Sequence, residues 1–476
     1  MTPEDLLEAQ RSTPDDAVIT VPVEDSLDEE NTLTKSFVRK VREALEAGQT
    51  DRVYELVEPL HPADVADLFE LIGADDRPAL AKAISDLMGS EVFAELNDHV
   101  RELLVESLSH GEVADIAEQL DTDDAVAMLE DLDLDDQQAV LAEMEPEDRA
   151  AIESALSYPE ETAGRLMSRD YVAVPEHMTV GDVIDFLRDG RDLANEFWEV
   201  FVVDARHHPV GTCQLSWVLR TPRTIALSDV MTREQTLIPV TMDQEEVALR
   251  FQKYALISAA VVDDDGRLVG QITVDDVVHI IQEEAGEDVL LLSGAGDGDI
   301  NEPLHMTVRA RLTWLVVNLG TAVLASSVVG LFQGAIAKFA LLAVLMPIVS
   351  GMGGNAGTQT LAVTVRALAT NQLTSSNTVR MIGREFMIAS INGLALGAII
   401  GTGVGLIFGN PLLGMVIAAA MLINNLMAGS AGILVPLTLD RLRIDPAVSS
   451  AVFVTMATDV MGFLSFLGLA VLSGLA

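Results

Sequence analysis

The sequence is poor in cysteine and in basic residues, and these shortages exclude an internal disulfide and argue against a nucleic-acid partner. Its 476 residues include one cysteine, Cys213, which excludes an internal disulfide and suits a reducing compartment. Lysine and arginine together number 29 against 74 acidic residues, which leaves a formal net charge of −45 at pH 7. An acidic surface repels nucleic acid and attracts cations, so we expect no nucleic-acid partner.

Several functional signatures are also missing. The first ten residues, MTPEDLLEAQ, lack the basic and apolar parts of a signal peptide. There is no nucleophile–base pair, no phosphate-binding loop and no thiolate metal motif, so an enzyme is the weakest of the functional classes. What remains is a chain too long for one ordinary domain, with an excess of acid that needs an explanation.

The acidic residues are concentrated in the first two thirds of the chain. From Met306 onward there are eight basic and four acidic residues, so the first 305 residues carry about −49. A soluble acidic region is therefore followed by an apolar one. Two explanations of the acidity are open and compatible with each other. One is adaptation to high salt, and the other is that some carboxylates form cation sites.

The soluble region begins with a tail and a helical domain. Residues 1–33 lack helical periodicity and are predicted to be a disordered tail, whereas residues 34–160 are helical in pattern. Between residues 109 and 156 a twelve-residue unit occurs four times: SHGEVADIAEQL, DTDDAVAMLEDL, DLDDQQAVLAEM and EPEDRAAIESAL. Acidic starts and apolar faces predict short helices stacked into an α-helical superhelix. The acids at the helix starts can also serve only as caps.

A second repeat follows the helical domain. VFVVDARHHPVGTCQLSWVL is echoed by AAVVDDDGRLVGQITVDDVV, and each unit reads as strand, helix, strand hairpin and helix. The units resemble tandem CBS domains, at 161–224 and 225–282, which are α/β regulatory modules that often bind adenine nucleotides. Thr273 and Asp276 in the second unit fit the family pattern that holds a ribose, whereas Leu219 stands in place of the acid in the first. An ordinary helix start explains Asp276 equally well.

Five apolar stretches are long enough to span a bilayer, which predicts a five-helix transmembrane domain at 309–476. They lie near 311–333, 336–365, 386–409, 411–438 and 447–475. The loops on the same side as the acidic region carry Arg309, Arg311, Arg366, Arg380, Arg384, Arg441 and Arg443. By the positive-inside rule the soluble domains are cytoplasmic and the C-terminus is external, in a multi-pass protein of the plasma membrane.

Two features interrupt the apolar pattern. Residues 346–360, MPIVSGMGGNAGTQT, hold four glycines together with Asn355, Thr358 and Gln359. Small residues alone can serve close helix packing, but the added polar residues favour the lining of a pore. Asp459, in TMATDVMGFL, is the only acid well inside a predicted span, and such a carboxylate needs a proton or a cation.

These motifs, in this order, resemble the MgtE family of magnesium channels over nearly the whole chain after residue 34. The resemblance rests on HPADVADL (61–68), EEAGEDV (283–289), PIVSGMGGNAGTQ and TDVMG. It implies a homodimer in the lipid bilayer, with the ion path on the two-fold axis and a connecting (plug) helix at 283–308. It also implies that cytoplasmic Mg²⁺, bound between the acidic domains, closes the pore.

The resemblance assigns roles residue by residue. Asp459 takes the place of the pore carboxylate and Thr455 the place whose carbonyl faces the ion, while Gly351 and Asn355 match pore-facing places of the second span. The acids that match the Mg²⁺ sensor are Glu91, Asp123, Asp243, Glu245, Asp276, Glu284, Glu287 and Asp288. The number of sensor ions stays open, because acids of relatives are replaced here by Ala127, Ala255 and His279.

Two functions fit these observations. The first is a Mg²⁺-selective channel that imports Mg²⁺ and is closed by cytoplasmic Mg²⁺, with ATP as a further ligand of the second CBS unit. The alternative is a secondary transporter that exchanges divalent cations such as Mg²⁺, Co²⁺ or Mn²⁺ for H⁺ or Na⁺. In that case Asp459 titrates, and broken helices at mid-membrane suit the class.

Overall fold

The computed structural model describes residues 26–130, 132–189, 197–294, 301–374, 376–448 and 450–475. Its contacts divide the chain into two compact units, which we call the amino-terminal unit (Met1–Val278) and the carboxy-terminal unit (His279–Ala476). The architecture is mostly helical with two small sheets, which confirms the predicted fold class.

The predicted tail is folded where the structure describes it. Residues 1–25 lie outside the described residues. From residue 26 the chain makes a turn in which Leu27 pairs with Leu33, and the Asp28 side chain accepts hydrogen bonds from the N–H and hydroxyl of Thr32. Leu33 is buried in the core of the helical domain. The domain therefore includes residues before the predicted boundary at residue 34.

Ten short α-helices form the first part of the amino-terminal unit, within the described residues. They are α1 (Lys35–Glu46), α2 (Thr50–Val57), α3 (Pro62–Leu71), α4 (Arg77–Ala83), α5 (Ser90–Ala94), α6 (Asp98–Val105), α7 (His110–Ala117), α8 (Thr122–Glu130), α9 (Leu134–Glu143) and α10 (Pro146–Leu156). A short 3₁₀ turn, Ser85–Leu87, separates α4 from α5. The apolar faces of these helices share one continuous core.

The twelve-residue repeat corresponds to α7 to α10, one helix in each unit, as the sequence predicts. The polar starts act as caps. Ser109 and Glu112 form a capping box at α7, and the Asp133 side chain accepts from the N–H groups of Asp135 and Asp136 at α9. Such caps satisfy backbone donors that a short helix cannot pair internally. The structure therefore explains several of these acids without any bound cation.

The repeat at 161–282 folds into two α/β modules with the same topology. In each, a short strand pairs in parallel with a second strand, which pairs antiparallel with a third. The first module contains α11 (Ala163–Leu166), β1 (Ala173–Pro175), α12 (Val180–Asp189), β2 (Glu199–Val203), β3 (Pro209–Gln214) and α13 (Leu215–Arg220). The second contains α14 (Leu227–Val230), β4 (Leu237–Pro239), α15 (Gln244–Tyr254), β5 (Ser258–Val262), β6 (Leu268–Thr273) and α16 (Val274–Ser293).

The structure corrects the position compared with the ribose-binding acid. β3 ends at Gln214, as β6 ends at Thr273, and a helix follows each strand at once. Counted from the strand ends, the counterpart of Asp276 is therefore Trp217, not Leu219. The two repeats are aligned two residues differently from the sequence prediction, but the first module still has no acid at this place.

Five helices of the carboxy-terminal unit, among the described residues, are long and apolar enough to cross a membrane, which is the predicted number. They are α17 (Leu304–Leu331), α19 (Leu341–Ala369), α20 (Thr378–Ile407), α21 (Pro411–Arg441) and α22 (Ser450–Leu472), and a short helix, α18 (Gln333–Lys338), precedes α19. The third span begins at Thr378 rather than near 386. Glu385 therefore lies two turns inside a spanning helix, and Asp459 is not the only acid within the spans.

Small residues let α20 and α21 approach closely. A Cβ added at Gly397 would lie 2.8 Å from the Ala418 carbonyl oxygen, and one at Gly401 would lie 2.6 Å from that of Gly414. Interfaces of this kind are typical of membrane helices, where packing replaces the hydrophobic effect as the source of association. We call α20, its three-residue turn and α21 the glycine hairpin.

Candidate ion pathway and cation sensor

The predicted pore residues lie on α19 and α22, which pack against each other. The hydroxyl of Ser350 on α19 donates a hydrogen bond to the Asp459 carboxylate on α22. Asp459 is half-buried, and Thr455 lies one helical turn before it. The sequence prediction did not include Ser350, although it belongs to the quoted motif. Its role depends on which helix faces α19, which the sequence alone does not give.

The glycine-rich stretch 346–360 does not break the helix, because α19 is continuous from Leu341 to Ala369 even though it contains Pro347. Two of its glycines face neighbouring helices. A Cβ on Gly353 would collide with the Asn424 side chain of α21, and one on Gly357 would lie 2.5 Å from Val454 of α22. For these two positions the packing explanation is correct.

The other face of the same stretch is open. A Cβ on Gly351 or Gly354 would meet nothing within 4 Å, and Asn355 and Thr358 are exposed. Gly351, Asn355 and Thr358 follow each other at spacings of four and three residues, so they share one side of the helix. Glycine and polar residues on an open side suit the lining of a water-filled path.

Asn424 fixes the backbone of α19 beside this open face. Its side chain is fully buried, and its Nδ2 donates to the Val349 carbonyl oxygen at 2.8 Å. Val349 directly precedes Ser350, the hydroxyl donor to Asp459. Asn424 was not predicted. The signal available in the sequence was the pair of asparagines, INN, inside an otherwise apolar span.

Acidic side chains gather in the amino-terminal unit where α8 meets the start of α16. Burial raises the pKa of Asp124 to about 6, and the nearby Asp276 carboxylate adds to the shift. Burial and, second, Asp276 raise the pKa of Asp123 well above its usual range. The Asp123 Oδ1 is buried without a hydrogen-bond partner in the part of the chain that the structure describes. Crowded carboxylates of this kind favour a bound cation or a proton.

The structure thus brings together two of the predicted sensor acids, Asp123 and Asp276, and adds Asp124. Glu91 lies in the first turn of α5, Asp243 caps α15 by accepting from the Glu245 N–H at 3.0 Å, and both Asp243 and Glu91 are exposed. Within the described ranges, no three His, Cys, Asp or Glu side chains are grouped closely enough to hold a metal ion. A divalent ion at Asp123 and Asp276 would therefore keep several waters.

The predicted acids of the connecting helix lie in the second half of α16. Burial raises the pKa of Asp288, and the nearby Asp445 carboxylate adds to the shift. Asp445 precedes α22, and the sequence prediction did not include it. Glu284 lies one turn before Asp288 on α16, with Glu287 beside it. The same helix ends in an apolar contact, because Leu291 and Leu292 join the cluster formed by Leu361, Val365, Ala431, Ala447 and Val454. The acids of α16 are thus carried by a helix that contacts residues of α19, α21 and α22.

Comparisons with known proteins identify the family of the chain. Residues 346–469 match the MgtE family, described as divalent cation transporters, residues 60–161 match the MgtE intracellular N domain, and residues 227–283 match the CBS domain. The chain is 31% identical over 440 residues to the magnesium transporter MgtE of Thermus thermophilus, across 90% of this chain and 97% of that one. The chain belongs to the MgtE family.

Two further MgtE relatives and two solved structures are similar. The magnesium transporter MgtE of Enterococcus faecalis is 33% identical over 67% of this chain and 70% of its own, and that of Bacillus subtilis is 29% identical over 87% and 92%. A crystal structure of the soluble part of a magnesium transporter covers 53% of this chain and 99% of its own, with 26% identity and a TM-score of 0.46. The cytosolic domain of the Mg²⁺ channel MgtE in complex with ATP covers 51% and 99%, with 30% identity and a TM-score of 0.47.

The nucleotide residues predicted in this MgtE chain bond to each other. The N–H and hydroxyl of Thr273 donate to the Asp276 carboxylate, at 3.2 and 2.7 Å, and Asp276 also lies near Asp123 and Asp124. A cavity of about 750 Å³ opens elsewhere in the CBS pair, with Trp198, Gln214, Thr232 and Tyr254 among its lining residues and neither Thr273 nor Asp276. The geometry around Asp276 favours its role beside other carboxylates over a role in holding a ribose.

Proposed function

We propose that the protein is a Mg²⁺-selective channel that imports Mg²⁺ across the plasma membrane and is closed by cytoplasmic Mg²⁺. The names of its relatives, which are magnesium transporters, support the ion. The observation that carries the channel is the Asp459 carboxylate, held by the Ser350 hydroxyl next to the open face of an unbroken α19.

The chemistry of the site suits transient passage of this ion. Mg²⁺ binds hard oxygen atoms and gives up its water reluctantly, so a conducting site should hold the ion largely through its waters. One carboxylate with hydroxyl, amide and carbonyl groups nearby meets that requirement. In the homodimer that we propose, each subunit contributes one Asp459 to the ion path, with Thr455, Gly351 and Asn355 facing it.

The gate in this proposal is α16. The acidic amino-terminal unit repels itself when divalent ions are scarce, and Mg²⁺ bound by the sensor acids relieves the repulsion. The acids Glu284, Glu287 and Asp288 lie on the same helix as Leu291 and Leu292, which pack on α19 and α22. A change at the acids is therefore coupled to the pore helices by a single rigid element. In this proposal the amino-terminal unit is cytoplasmic and the C-terminus external.

ATP is a secondary ligand in the proposal. The predicted site at Thr273 and Asp276 gives a direct test, since Asp276→Ala should weaken ATP binding by the amino-terminal unit in calorimetry. Unchanged binding heat would remove Asp276 from the nucleotide site and direct attention to the 750 Å³ cavity.

The experiment that tests the channel is Mg²⁺ uptake into proteoliposomes by Asp459→Asn. We expect uptake to fall at least about tenfold, because the substitution keeps the shape of the side chain and removes the charge. Asp440→Asn is the matched control, since Asp440 is exposed at the end of α21 and should not matter. Wild-type uptake by a folded Asp459→Asn protein would disprove the pore assignment.

The same preparation separates the channel from the secondary transporter. Broken helices would have favoured the transporter, and α19 is unbroken where the sequence suggested a break. A channel gives Mg²⁺ currents in bilayer recordings without any counter-ion gradient. Uptake that requires a H⁺ or Na⁺ gradient, with no current, would replace the channel by the exchanger.

A further inference from the structure

A second carboxylate lies inside the membrane-spanning region, away from the pore residues. Glu385 on α20 is only 5% exposed, and its Oε2 accepts a hydrogen bond from the Thr360 hydroxyl of α19 at 3.3 Å. Thr360 is ten residues beyond Ser350, which is about 15 Å along the helix axis. Glu385 therefore belongs to a different site from Asp459.

Glu385 lines a cavity of about 200 Å³ between α19, α20 and α21. Its polar lining residues are Gln359, Thr360, Arg384, Glu385, Asn392 and Asn425. This volume holds several water molecules, because one water occupies about 30 Å³ in the liquid. A polar cavity with a buried carboxylate among the spanning helices needs an explanation in terms of what it holds.

Asn425 supplies an independent indication of a ligand. The residue is 1% exposed, and its Nδ2 donates to the Met421 carbonyl oxygen of its own helix at 2.9 Å, which fixes the orientation of the amide. The Oδ1 is then left buried without a hydrogen-bond partner among the described residues. A buried acceptor without a hydrogen-bond partner is unfavourable. Because no group among the described residues donates to the Asn425 Oδ1, a bound ligand is the partner that would complete it.

We propose that this cavity binds a monovalent cation, Na⁺ or K⁺, through the Glu385 carboxylate, the Thr360 hydroxyl and the Asn425 Oδ1. All three are hard oxygen ligands, which alkali cations accept. The lining holds a single carboxylate, which one monovalent cation neutralises, whereas a divalent cation would leave an excess positive charge. Arg384 also lines the cavity, but it is exposed, whereas Glu385 is buried. The cation links α19 to α20 and α21, and so holds the pore helix in place.

This inference does not depend on the proposed channel, because its test reads stability. The full-length protein in detergent micelles with EDTA is melted in NaCl, KCl or choline chloride at one ionic strength. We expect the melting temperature to rise by about 2–4 °C in Na⁺ or K⁺ over choline, with a saturable dependence on concentration. Glu385→Gln should lose this rise, and the exposed-acid control Asp440→Asn should keep it.

A milder variant keeps the test decisive if Glu385→Gln does not fold. Thr360→Val has the same shape without the hydroxyl, and it should raise the half-maximal cation concentration several-fold. Equal melting temperatures in all three salts would overturn the proposal, as would a full response in both cavity variants. If Mg²⁺ raises the melting temperature but Na⁺ and K⁺ do not, and Glu385→Gln removes the effect of Mg²⁺, the cavity is a divalent-cation site instead. If acidification alone raises the melting temperature in choline chloride, and Glu385→Gln abolishes this rise, the cavity holds a proton instead of a cation.

Discussion

The carboxylates around Asp124 in the amino-terminal unit and the Asp459 carboxylate in the carboxy-terminal unit are arranged in opposite ways. In the amino-terminal unit Asp123, Asp124 and Asp276 crowd together, and burial with mutual repulsion raises the pKa of the first two. In the carboxy-terminal unit, where Asp288 and Asp445 also lie close together, Asp459 accepts a hydroxyl hydrogen bond from Ser350. Crowded acids gain much from a bound cation and should retain it, whereas a single acid gains less and can release it. The first arrangement suits sensing and the second suits passage.

The largest effect is expected from removing charge on the connecting helix. In Glu284→Gln/Glu287→Gln/Asp288→Asn, uptake at high Mg²⁺ should stay at least about tenfold above the wild type, because Mg²⁺ no longer has these ligands. Protection of residues 156–165 from protease by Mg²⁺ should weaken in the same variant. The measurements are proteoliposome uptake and limited proteolysis across a Mg²⁺ titration.

A control of equal charge sharpens this test. Asp51, Glu55 and Glu58 are exposed on and just after α2, and neutralising them removes the same three charges. NaCl screens repulsion but does not bridge carboxylates, so Mg²⁺ should protect residues 156–165 from protease even in high NaCl. Full protection by NaCl alone, with nothing added by Mg²⁺, would make the acidity an adaptation to salt and would erase the contrast between the units.

Alanine substitutions at two neighbouring glycines of α19 should differ in their effect, because one disturbs the surroundings of Asp459 and the other leaves them intact. Gly353→Ala places a methyl group against Asn424, the residue that holds the Val349 carbonyl, and should destabilise the protein by about 1–3 kcal/mol. Gly354→Ala points into open space and should be neutral or slightly stabilising. Thermal unfolding in micelles compares the two. Equal melting temperatures would mean that Asn424 does not clamp α19.

The crowded acids of the amino-terminal unit predict a pH dependence of the protein's stability. Folding raises the pKa of Asp124 from near 3.8 to about 6, so the folded state binds its proton more tightly than the unfolded state. Without divalent ions, the free energy of unfolding should therefore fall as pH rises from about 4 to about 6, by roughly 1–2 kcal/mol after allowance for solvent screening.

The measurement uses Trp198 and Trp217 fluorescence in a Trp314→Phe background, so that the signal comes from the amino-terminal unit. Asp124→Asn should reduce the slope with pH, and Mg²⁺ should oppose the loss of stability at pH 7. A stability that stays flat between pH 4 and 6 would show that these carboxylates are not crowded in solution.

The smallest effect concerns the open face of α19. Asn355→Leu should lower uptake about two- to fivefold, because in the proposed channel an apolar side chain would replace a polar one that faces a hydrated ion. Asn318→Leu is the matched control, since Asn318 is exposed on α17, a different helix. If both variants transport like the wild type, Asn355 does not line the ion path.

The sequence predicted those features that depend on residues close together along the chain. The twelve-residue period gave α7 to α10 because each helix carries its own cap, and Asp459 was identified because an acid in an apolar run is conspicuous by itself. Ser350, Asn424 and Asp445 were missed because their importance comes from what faces them across helices. The predicted third span began near 386 and so left Glu385 outside it, and only the packing of α19 and α21 shows that this residue is buried.

The glycine stretch shows most clearly where sequence reasoning stops. Four glycines and a proline would break a helix in water, but in an apolar environment every backbone group gains from the helical hydrogen bond. The sequence could indicate two roles for the stretch, pore lining and packing. The sequence could not assign these two roles to individual glycines, because Gly351 and Gly353 are two residues apart and differ only in which side of α19 they occupy.

The glycine hairpin also bears on how the protein is made. α20 and α21 are joined by three residues, and the turn carries no charge from Phe408 to Asn410, whose side chain caps α21 by accepting from the Leu413 N–H. Their backbones meet directly at Gly397 and Gly401. Two such segments can leave the ribosome and enter the bilayer as one preassembled pair, since no charged loop has to be carried across. α22, synthesised after this pair, then docks on a surface that is already formed, and only at that step does Asp459 meet Ser350.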